Sequence, residues 1–265
     1  MTDTELLDYL DAAQEAARRG AAVLEGWRTR FSVREKGRAD LVTDADFAAQ
    51  QATRDYLLGR FPGHAFLGEE DGPNQPRPPQ GAPPTWIVDP LDGTTNYVHD
   101  VPMYCVSVGL EVAGELVAGA IFDPRQREMF AAARGHGATL NDRPIRTSTT
   151  DKLADALLST GFSPDLRGHE IQLEWWAYFS MHTQSLRRTG STALNLAYVA
   201  AGRYDGYWGF DNNAWDVAAG VVIVREAGGQ VTTLDGRIYD PHGRHCLASN
   251  GPLHDDLVKT LRRNP

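Results

Sequence analysis

A mixed α and β fold, with helices and an antiparallel sheet in the first half and an alternating α/β pattern in the second, is predicted by three features of this chain. Apolar runs at 103–112 and 115–122 are separated only by Ala113-Gly114, a hairpin signal. Beyond residue 150 short β-like runs alternate with helical stretches, the pattern of a layered α/β unit. The 265 residues, 42% hydrophobic and 23% charged, are ordinary globular composition, long enough for one large domain or two smaller ones sharing a cleft. A composition change at Arg146-Thr147-Ser148-Thr149-Thr150 places the division, giving halves 1–146 and 147–265.

In chain order, Asp3 or Thr4 is placed to cap a first helix, along which Leu6, Leu7, Leu10, Ala13, Ala17 and Leu24 form an apolar stripe. Thr43 or Asp44 would cap a second helix over 44–60, closed by Gly59 and Pro62, with Asp44 serving the helix dipole. His64–Gly68 reads as a short strand leading into Glu69-Glu70-Asp71. The Gly- and Pro-rich segment 72–84 suits neither helix nor strand and reads as a solvated loop. It delivers the chain to Trp86-Ile87-Val88, a buried-strand run that Pro90 and Gly93 would end in a turn. After the 103–122 hairpin, residues 127–133 and a turn at Gly135-His136-Gly137 extend the antiparallel pattern. No helix follows that turn and its third glycine is missing, so it is not a dinucleotide fingerprint. In the second half, strands are expected at 156–159, 185–188 and 204–207. Helices are expected at 168–182, from Gly190-Ser191-Thr192 to about 201, and from Trp215 to Glu226, where Gly228-Gly229 stops the last. No repeat of fixed period is visible.

Bulk properties exclude several classes. Net charge is 26 − 35 = −9 and no basic stripe appears, so a nucleic-acid polymer is not the expected partner. A small phosphorylated molecule stays open, because a bound cation reverses the local field. The two cysteines, Cys105 and Cys246, belong to no CxxC, which argues against zinc and disulfide frameworks. The N-terminus lacks the regions of a signal peptide and no apolar run is long enough to span a bilayer, so a cytoplasmic location and no membrane are expected. No G-x-S-x-G, H-E-x-x-H or P-loop is present, and the H-x-x-H of His242 and His245 lies in a polar turn that reads as a surface loop.

The chemistry concentrates at Asp89-Pro90-Leu91-Asp92-Gly93-Thr94-Thr95-Asn96. Pro90 fixes the backbone locally, so the carboxylates of Asp89 and Asp92 can converge across the bend. Two close carboxylates repel and stay ionised only beside positive charge. A hard cation such as Mg2+ suits such oxygen ligands, and the Leu91 carbonyl would add another. If a helix begins at Gly93-Thr94, its N-terminus would favour a phosphate. The alternative is an Asx-rich turn that Asp89 and Asp92 merely cap. Asp46, Glu69 and Asp216 also stand at helix starts or strand ends, as an oxygen-ligand cluster gathered from distant parts of a chain requires; for Asp216 alone, a helix N-cap is the competing reading.

Glu69-Glu70 after Gly68, the run Asp89–Asn96, and Trp215-Asp216 before an apolar helix ending in Gly-Gly together resemble the inositol monophosphatase family, over nearly the whole chain. The resemblance implies a layered α-β-α-β-α sugar-phosphatase-type fold whose first half binds metal and phosphate and whose second completes the cleft. It implies metal-dependent hydrolysis of a small polyol or sugar monophosphate, inositol 1-phosphate by default, with two to three Mg2+ ions. Glu69, Asp89 and the Leu91 carbonyl would hold the first ion, and Asp89, Asp92 and Asp216 the second. A third would involve Glu69 and, through water, Asp46. Thr94 and Glu69 would orient the attacking water, and Lys36 matches a family lysine near the metals. Asp92, Gly93, Thr94 and Thr95 would meet the phosphate end of the substrate, Gly190, Ser191 and Thr192 its hydroxyls. Family members dedicated to inositol phosphates usually carry Glu where Gly209 stands; Asp211 is the nearest candidate to replace it. Fructose 1,6-bisphosphate, 3′-phosphoadenosine phosphate and histidinol phosphate are the alternative substrates, and a non-catalytic binding protein of the same fold is the alternative from another class. The resemblance also implies a homodimer, while Trp175, Trp176 and Trp208 read as core or interface packing.

Overall fold

A computed structural model of the chain describes all residues except 38–39, 73–76, 78, 80, 164 and 263–265, so much of the expected loop at 72–84 lies outside the described residues. Thr2 starts the first helix, α1 (Asp3–Trp27), where Asp3 or Thr4 was the expected cap. The hydroxyl of Thr2 accepts the Glu5 N–H at 3.2 Å, and the Glu5 carboxylate accepts the Thr2 N–H at 2.6 Å. This reciprocal box needs an acid three residues on, which Thr2 has and Asp3 lacks. Thr43 caps α2 (Asp44–Arg60) in the same way with Asp46. A two-stranded ribbon, β1 (Val33–Gly37) and β2 (Asp40–Thr43), joins the two helices.

Against α1 and α2 lies a seven-stranded sheet: β3 (Ala65–Gly68), β4 (Thr85–Asp92), β5 (Cys105–Val112), β6 (Glu115–Asp123), β7 (Glu128–Ala133), β8 (Ala138–Leu140) and β9 (Arg143–Ile145), hydrogen-bonded in that order. Only the β3–β4 pair is parallel. The β5–β6 turn uses Ala113 and Gly114 at φ 53° and 84°, as a two-residue hairpin loop demands. Even-numbered β5 residues Val106, Val108 and Leu110 face the helices, where Ala13, Ala16 and Ala17 allow close approach.

The opposite face of this sheet packs on α5 (Thr192–Ala200) and α6 (Ala214–Glu226). Those helices in turn cover a five-stranded sheet ordered β11 (Ser185–Arg187), β10 (Leu157–Gly161), β12 (Gly206–Gly209), β14 (Cys246–Ser249) and β13 (Gln230–Thr232). On its far side, Leu158, Trp208 and Leu247 pack with α4 (Ile171–His182) and α7 (His254–Arg262). The layers therefore run α-β-α-β-α, the order implied by the resemblance. The central hydrophobic cluster draws residues from both sheets, so α5 and α6 are shared ground rather than the property of one half.

Several expectations are corrected. The strand at Trp86 does not turn at Val88; β4 continues through Pro90 to Asp92 by a bulge, Asp89 pairing with Ser107 and Asp92 with Cys105. A bulge accommodates the proline and re-aims the side chains around it. The fourth helix begins at Ile171 rather than 168, because Gly168 sits at φ 81°. The third strand of the second half is 206–209 rather than 204–207, since the N–H groups of Arg203 and Tyr204 turn back to Tyr198 O to close α5. His242 is not a loose surface residue: its ring lies 2.7 Å from the buried carboxylate of Glu111 on β5. Trp175 and Trp208 are core residues, Trp175 stacked on Phe210 at 5.4 Å.

Candidate active site

The acidic residues singled out in the sequence converge where the ends of β3 and β4 meet the starts of α2, α5 and α6. Asp89 and Asp92 occupy the bulged end of β4, both buried. The Leu91 N–H donates to Asp89 Oδ1 at 3.0 Å, which bends the bulge around that carboxylate. Asp46, fully buried at the start of α2, accepts the Thr43 N–H and hydroxyl on one oxygen, at 2.9 and 2.6 Å. Its other oxygen accepts from Thr94 Oγ1 at 3.2 Å, and that hydroxyl also lies 3.1 Å from the Leu91 carbonyl. Gly93, at φ 100°, makes the turn into a five-residue helix, α3 (Thr94–Val98), that carries Thr94 and Thr95.

Asp92 faces the N-terminus of α5. It accepts Ser191 Oγ at 2.6 Å, Ala193 N at 2.6 Å and Thr192 N at 3.2 Å. In the structure Ser191 and Thr192, read from sequence as substrate contacts, hold a carboxylate of the other half. Asn96 adds a second tie, its amide donating to Met103 O at 2.7 Å and to Thr189 O at 2.9 Å, just before Gly190. Asp216 is the third residue of α6 and not its N-cap, which is Asn213; its carboxylate accepts the Asn213 N–H at 2.6 Å, as the far partner of a capping box. Lys36 on β1 reaches both Glu69, at 2.9 Å, and Glu70, at 2.7 Å. Asp211 stands apart from this cluster, at φ 52°, its carboxylate engaged by the Ser163 hydroxyl and by Arg244 Nε, the latter at 3.2 Å.

The electrostatics are those of crowded carboxylates. Burial, then the charges of Glu69, Asp92 and Asp216, push the Asp89 carboxyl well above the usual range. Asp216 is raised likewise, by burial and then Glu69. Burial lifts Asp92 and Asp46 to about 6 against the opposing hydrogen bonds they accept, and Glu70 to about 7. Burial by itself would lower Lys36, but Glu69 and Glu70 outweigh it and hold the ammonium above its ordinary range. One lysine beside six carboxylates, Asp46, Glu69, Glu70, Asp89, Asp92 and Asp216, leaves an excess of negative charge in a site largely shut off from water. All the donors are oxygens, the set that a hard divalent cation prefers, so the residues fit such an ion by chemistry and burial. Among the described residues no three such side chains yet close on one point; Asp92 is turned to α5 and Asp216 to Asn213.

A cleft of about 400 Å³ opens beside the cluster, lined by Lys36, Asp40, Phe47, Glu69, Glu70, Gly72, Asn213 and Trp215. Volume does not single it out. A hollow of about 380 Å³ between Arg77, Pro83, Glu111 and Gly114 is as large, but it faces none of the gathered acids. Sequence reasoning missed Asp40 and Asn213 in the lining. Asp40 begins the short strand β2 and Asn213 is the N-cap of α6, and no local pattern marked either as part of a cleft.

Five alternating layers, with acidic side chains buried where the sheet ends meet the central helices, are the architecture of a sugar-phosphatase-type hydrolase. The profile of the inositol monophosphatase family matches residues 5–265. An inositol-1-monophosphatase of Synechocystis sp. is 42% identical over 265 residues, spanning 99% of this chain and 91% of that protein. A Pseudomonas aeruginosa protein named Nus factor SuhB is 40% identical, over 88% of this chain and 86% of its own. The solved inositol monophosphatase from Anabaena (Nostoc) sp. PCC 7120 superposes with a TM-score of 0.87 at 39% identity, over 98% of each chain. The chain belongs to the inositol monophosphatase family, and it is an inositol monophosphatase-like phosphoric monoester hydrolase. The family acts on small phosphorylated substrates and is generally metal-dependent. No described helix is long and apolar enough to cross a membrane.

Proposed function

We propose that the chain is a Mg2+-dependent phosphomonoesterase for a small polyol or sugar monophosphate, with inositol 1-phosphate the first substrate to try. What carries the reading is the Thr94 hydroxyl, wedged between the fixed carboxylate of Asp46 and the Leu91 carbonyl beside the Asp89–Asp92 bulge. The names of the relatives support the choice of alcohol.

In this reading Glu69, Asp89 and the Leu91 carbonyl would hold one Mg2+, Asp89, Asp92 and Asp216 a second, and Glu69 with a water on Asp46 a third. Bound there, the ions would supply positive charge for the phosphate and lower the pKa of a water molecule. The protein's own part is positioning. Thr94 has one hydrogen to give, to Asp46 or to Leu91 O, so its remaining lone pairs can accept a hydrogen bond from the attacking water. Asp46 cannot swing away, because Thr43 holds its other oxygen twice. Glu69, kept in place by Lys36, is the second group placed to orient that water. Gly93, Thr94 and Thr95 would receive the phosphate through their N–H groups. The helix behind them is too short to contribute a large dipole, so those local donors carry the interaction.

Gly190, Ser191, Thr192 and Asp211 are proposed for the alcohol end of the substrate, with Asp211 already paired to Arg244. We take a homodimer in the cytoplasm as the working form; the exposed Leu173 and Met181 on α4 offer an apolar surface for pairing, and the mass in solution tests it. Phosphate release from inositol 1-phosphate, fructose 1,6-bisphosphate, 3′-phosphoadenosine phosphate and histidinol phosphate, each with and without Mg2+, ranks the substrates. Turnover of none, by folded protein, would sink the reading.

A further inference from the structure

Helix α2 reaches the acid cluster at two places. Asp46, in its first turn, bonds Thr94, and Gln50, one turn further along the same face, bonds the tight helical turn Glu69–Asp71. Gln50 is a polar side chain only 6% exposed, on a helix whose other buried residues include Ala45, Ala49 and Leu57. Its Oε1 accepts the Glu70 N–H at 2.9 Å, and its Nε2 donates to Asp71 Oδ1 at 3.1 Å. The other Asp71 oxygen accepts the Gly68 N–H at 3.3 Å and a hydrogen bond from Arg54, a further turn along α2.

These partners fix the sense of the amide as well as its place. A backbone N–H can only donate and a carboxylate can only accept, so a flipped amide would meet two mismatched groups. Burying an amide costs free energy unless its ends are bonded, and here both are. Gln50 also lies flat against the chain it holds. A Cβ on Gly68 would stand 2.3 Å from Gln50 Oε1 and 2.6 Å from both Gln50 Cδ and Phe66 Cε1. The φ of Gly68 is −114°, open to any residue, so it is the closeness of Gln50 and Phe66 that calls for glycine there.

Glu69 stands between Gly68 and Glu70, whose N–H groups are tied to α2 through Asp71 and Gln50, while Lys36 holds its carboxylate. Thr94 is tied to the same helix through Asp46. Residues 46 and 50 are separated by about 6 Å along a helix axis, a distance that the helical hydrogen bonds keep constant. We propose that Gln50, supported by Asp71, is a positioning residue that sets Glu69 against Thr94, making α2 the common frame of both groups that orient the attacking water. This rests on the phosphatase reading above. Gln50 acts only through the backbone of residues 68–71.

The test uses Gln50→Met, Gln50→Glu and the double variant Gln50→Glu with Asp71→Asn, each fold checked by circular dichroism. Methionine keeps length and burial but removes both hydrogen bonds. The double variant exchanges donor and acceptor: a carboxylate at 50 accepts the Glu70 N–H, and an amide at 71 donates to it while its oxygen meets the Gly68 N–H. In metal-free protein, Gln50→Met should speed hydrogen exchange at the Glu70 amide and leave the Thr43 amide, bonded to Asp46, protected. Calorimetry should show Mg2+ binding weakened about tenfold, the size of one hydrogen bond. At saturating Mg2+, kcat on p-nitrophenyl phosphate should fall roughly 10–100-fold with KM little changed. Gln50→Glu alone, which sets two carboxylates together, should lose likewise, and the double variant should recover most of the Mg2+ affinity, kcat and Glu70 protection. Should Gln50→Met not fold, the two glutamate variants carry the comparison. Wild-type Mg2+ affinity and kcat in Gln50→Met, a loss confined to KM, or a double variant no better than Gln50→Glu would overturn the assignment. Failure of wild type to hydrolyse any ester would instead overturn the phosphatase reading, and the Mg2+ affinities would then decide whether Gln50 places Glu69.

Discussion

Asp92 spends its two oxygens on three donors at the start of α5, and Thr94 sits between an immobile carboxylate and a carbonyl. These two residues give the sharpest expectations at residue scale. Thr94→Val keeps the shape but removes the hydroxyl that orients water, so kcat should fall on the order of 10²–10³-fold with a smaller change in KM; equal kcat in the variant would remove Thr94 from the chemistry. Asp123, buried at the end of β6, answers to pH instead. Burial raises its carboxyl to about 6, although it accepts the N–H groups of Arg125 and Gln126 at 2.8 and 2.9 Å. A free aspartate titrates near 4, so between about pH 4 and 6 the folded state binds more protons than the unfolded one. Stability from this group is therefore full below pH 4 and is lost as pH rises to 6. Asp123→Asn keeps the acceptor oxygen and should flatten the fall in melting temperature across that window by the equivalent of about 1 kcal/mol after screening. An unchanged slope would show that Asp123 does not titrate there. At this scale Asp46, Asp89, Asp92, Thr94 and Asp216 were legible because their spacing is tied to strand ends and helix starts. The contact of Tyr207 on β12 with Thr192 on α5 was not, because it joins parts of the chain that only the packing of α5 on the second sheet brings together.

Elements matter here through how closely α6, which carries Asp216, sits on the first sheet. A Cβ on Gly109 would lie 2.8 Å from Ala218 Cβ, and one on Gly119 would lie 2.6 Å from Ala219 O. Both contacts are below what side chains tolerate, so Gly119→Ala should push α6 outward and cost about 1–3 kcal/mol, lowering the melting temperature by several degrees. Because Asp216 would move with the helix, Mg2+ affinity should weaken too. A variant as stable and as tight in metal binding as wild type would contradict this close seating. Helices α2, α5 and α6 were legible from caps and apolar runs, and so was the β5–β6 hairpin, whose two-residue turn is a strong local signal. The bulge that carries β4 through Pro90 was not, since proline and glycine in sequence mark a break equally well whether the chain turns or bulges. Strands β8, β9, β13 and β14 escaped because each is only three or four residues long and gains its identity from the neighbour it pairs with.

Across the whole molecule, the two sheets meet through shared helices, and the acid cluster stands at that junction with contributions from both halves. Crowded, buried carboxylates weaken the fold in the absence of an ion, because their repulsion and desolvation oppose folding. An ion that binds only the folded chain offsets this, so saturating Mg2+ at about a hundred times its dissociation constant should stabilise by roughly 2.7 kcal/mol and raise the melting temperature. Asp92→Asn should reduce that gain sharply. The layer order was readable from the alternation of elements together with the Asp89–Asn96 motif; the sharing of α5 and α6 between the sheets was not, since no local pattern says which sheet a buried helix covers. The most direct measurement is phosphate release from inositol 1-phosphate by wild type and Asp92→Asn, with and without Mg2+. Release by wild type that requires Mg2+, and that drops by two orders of magnitude or more in the variant, is the expected result. Release that persists in excess chelator, or that survives Asp92→Asn undiminished, would contradict hydrolysis at this carboxylate cluster.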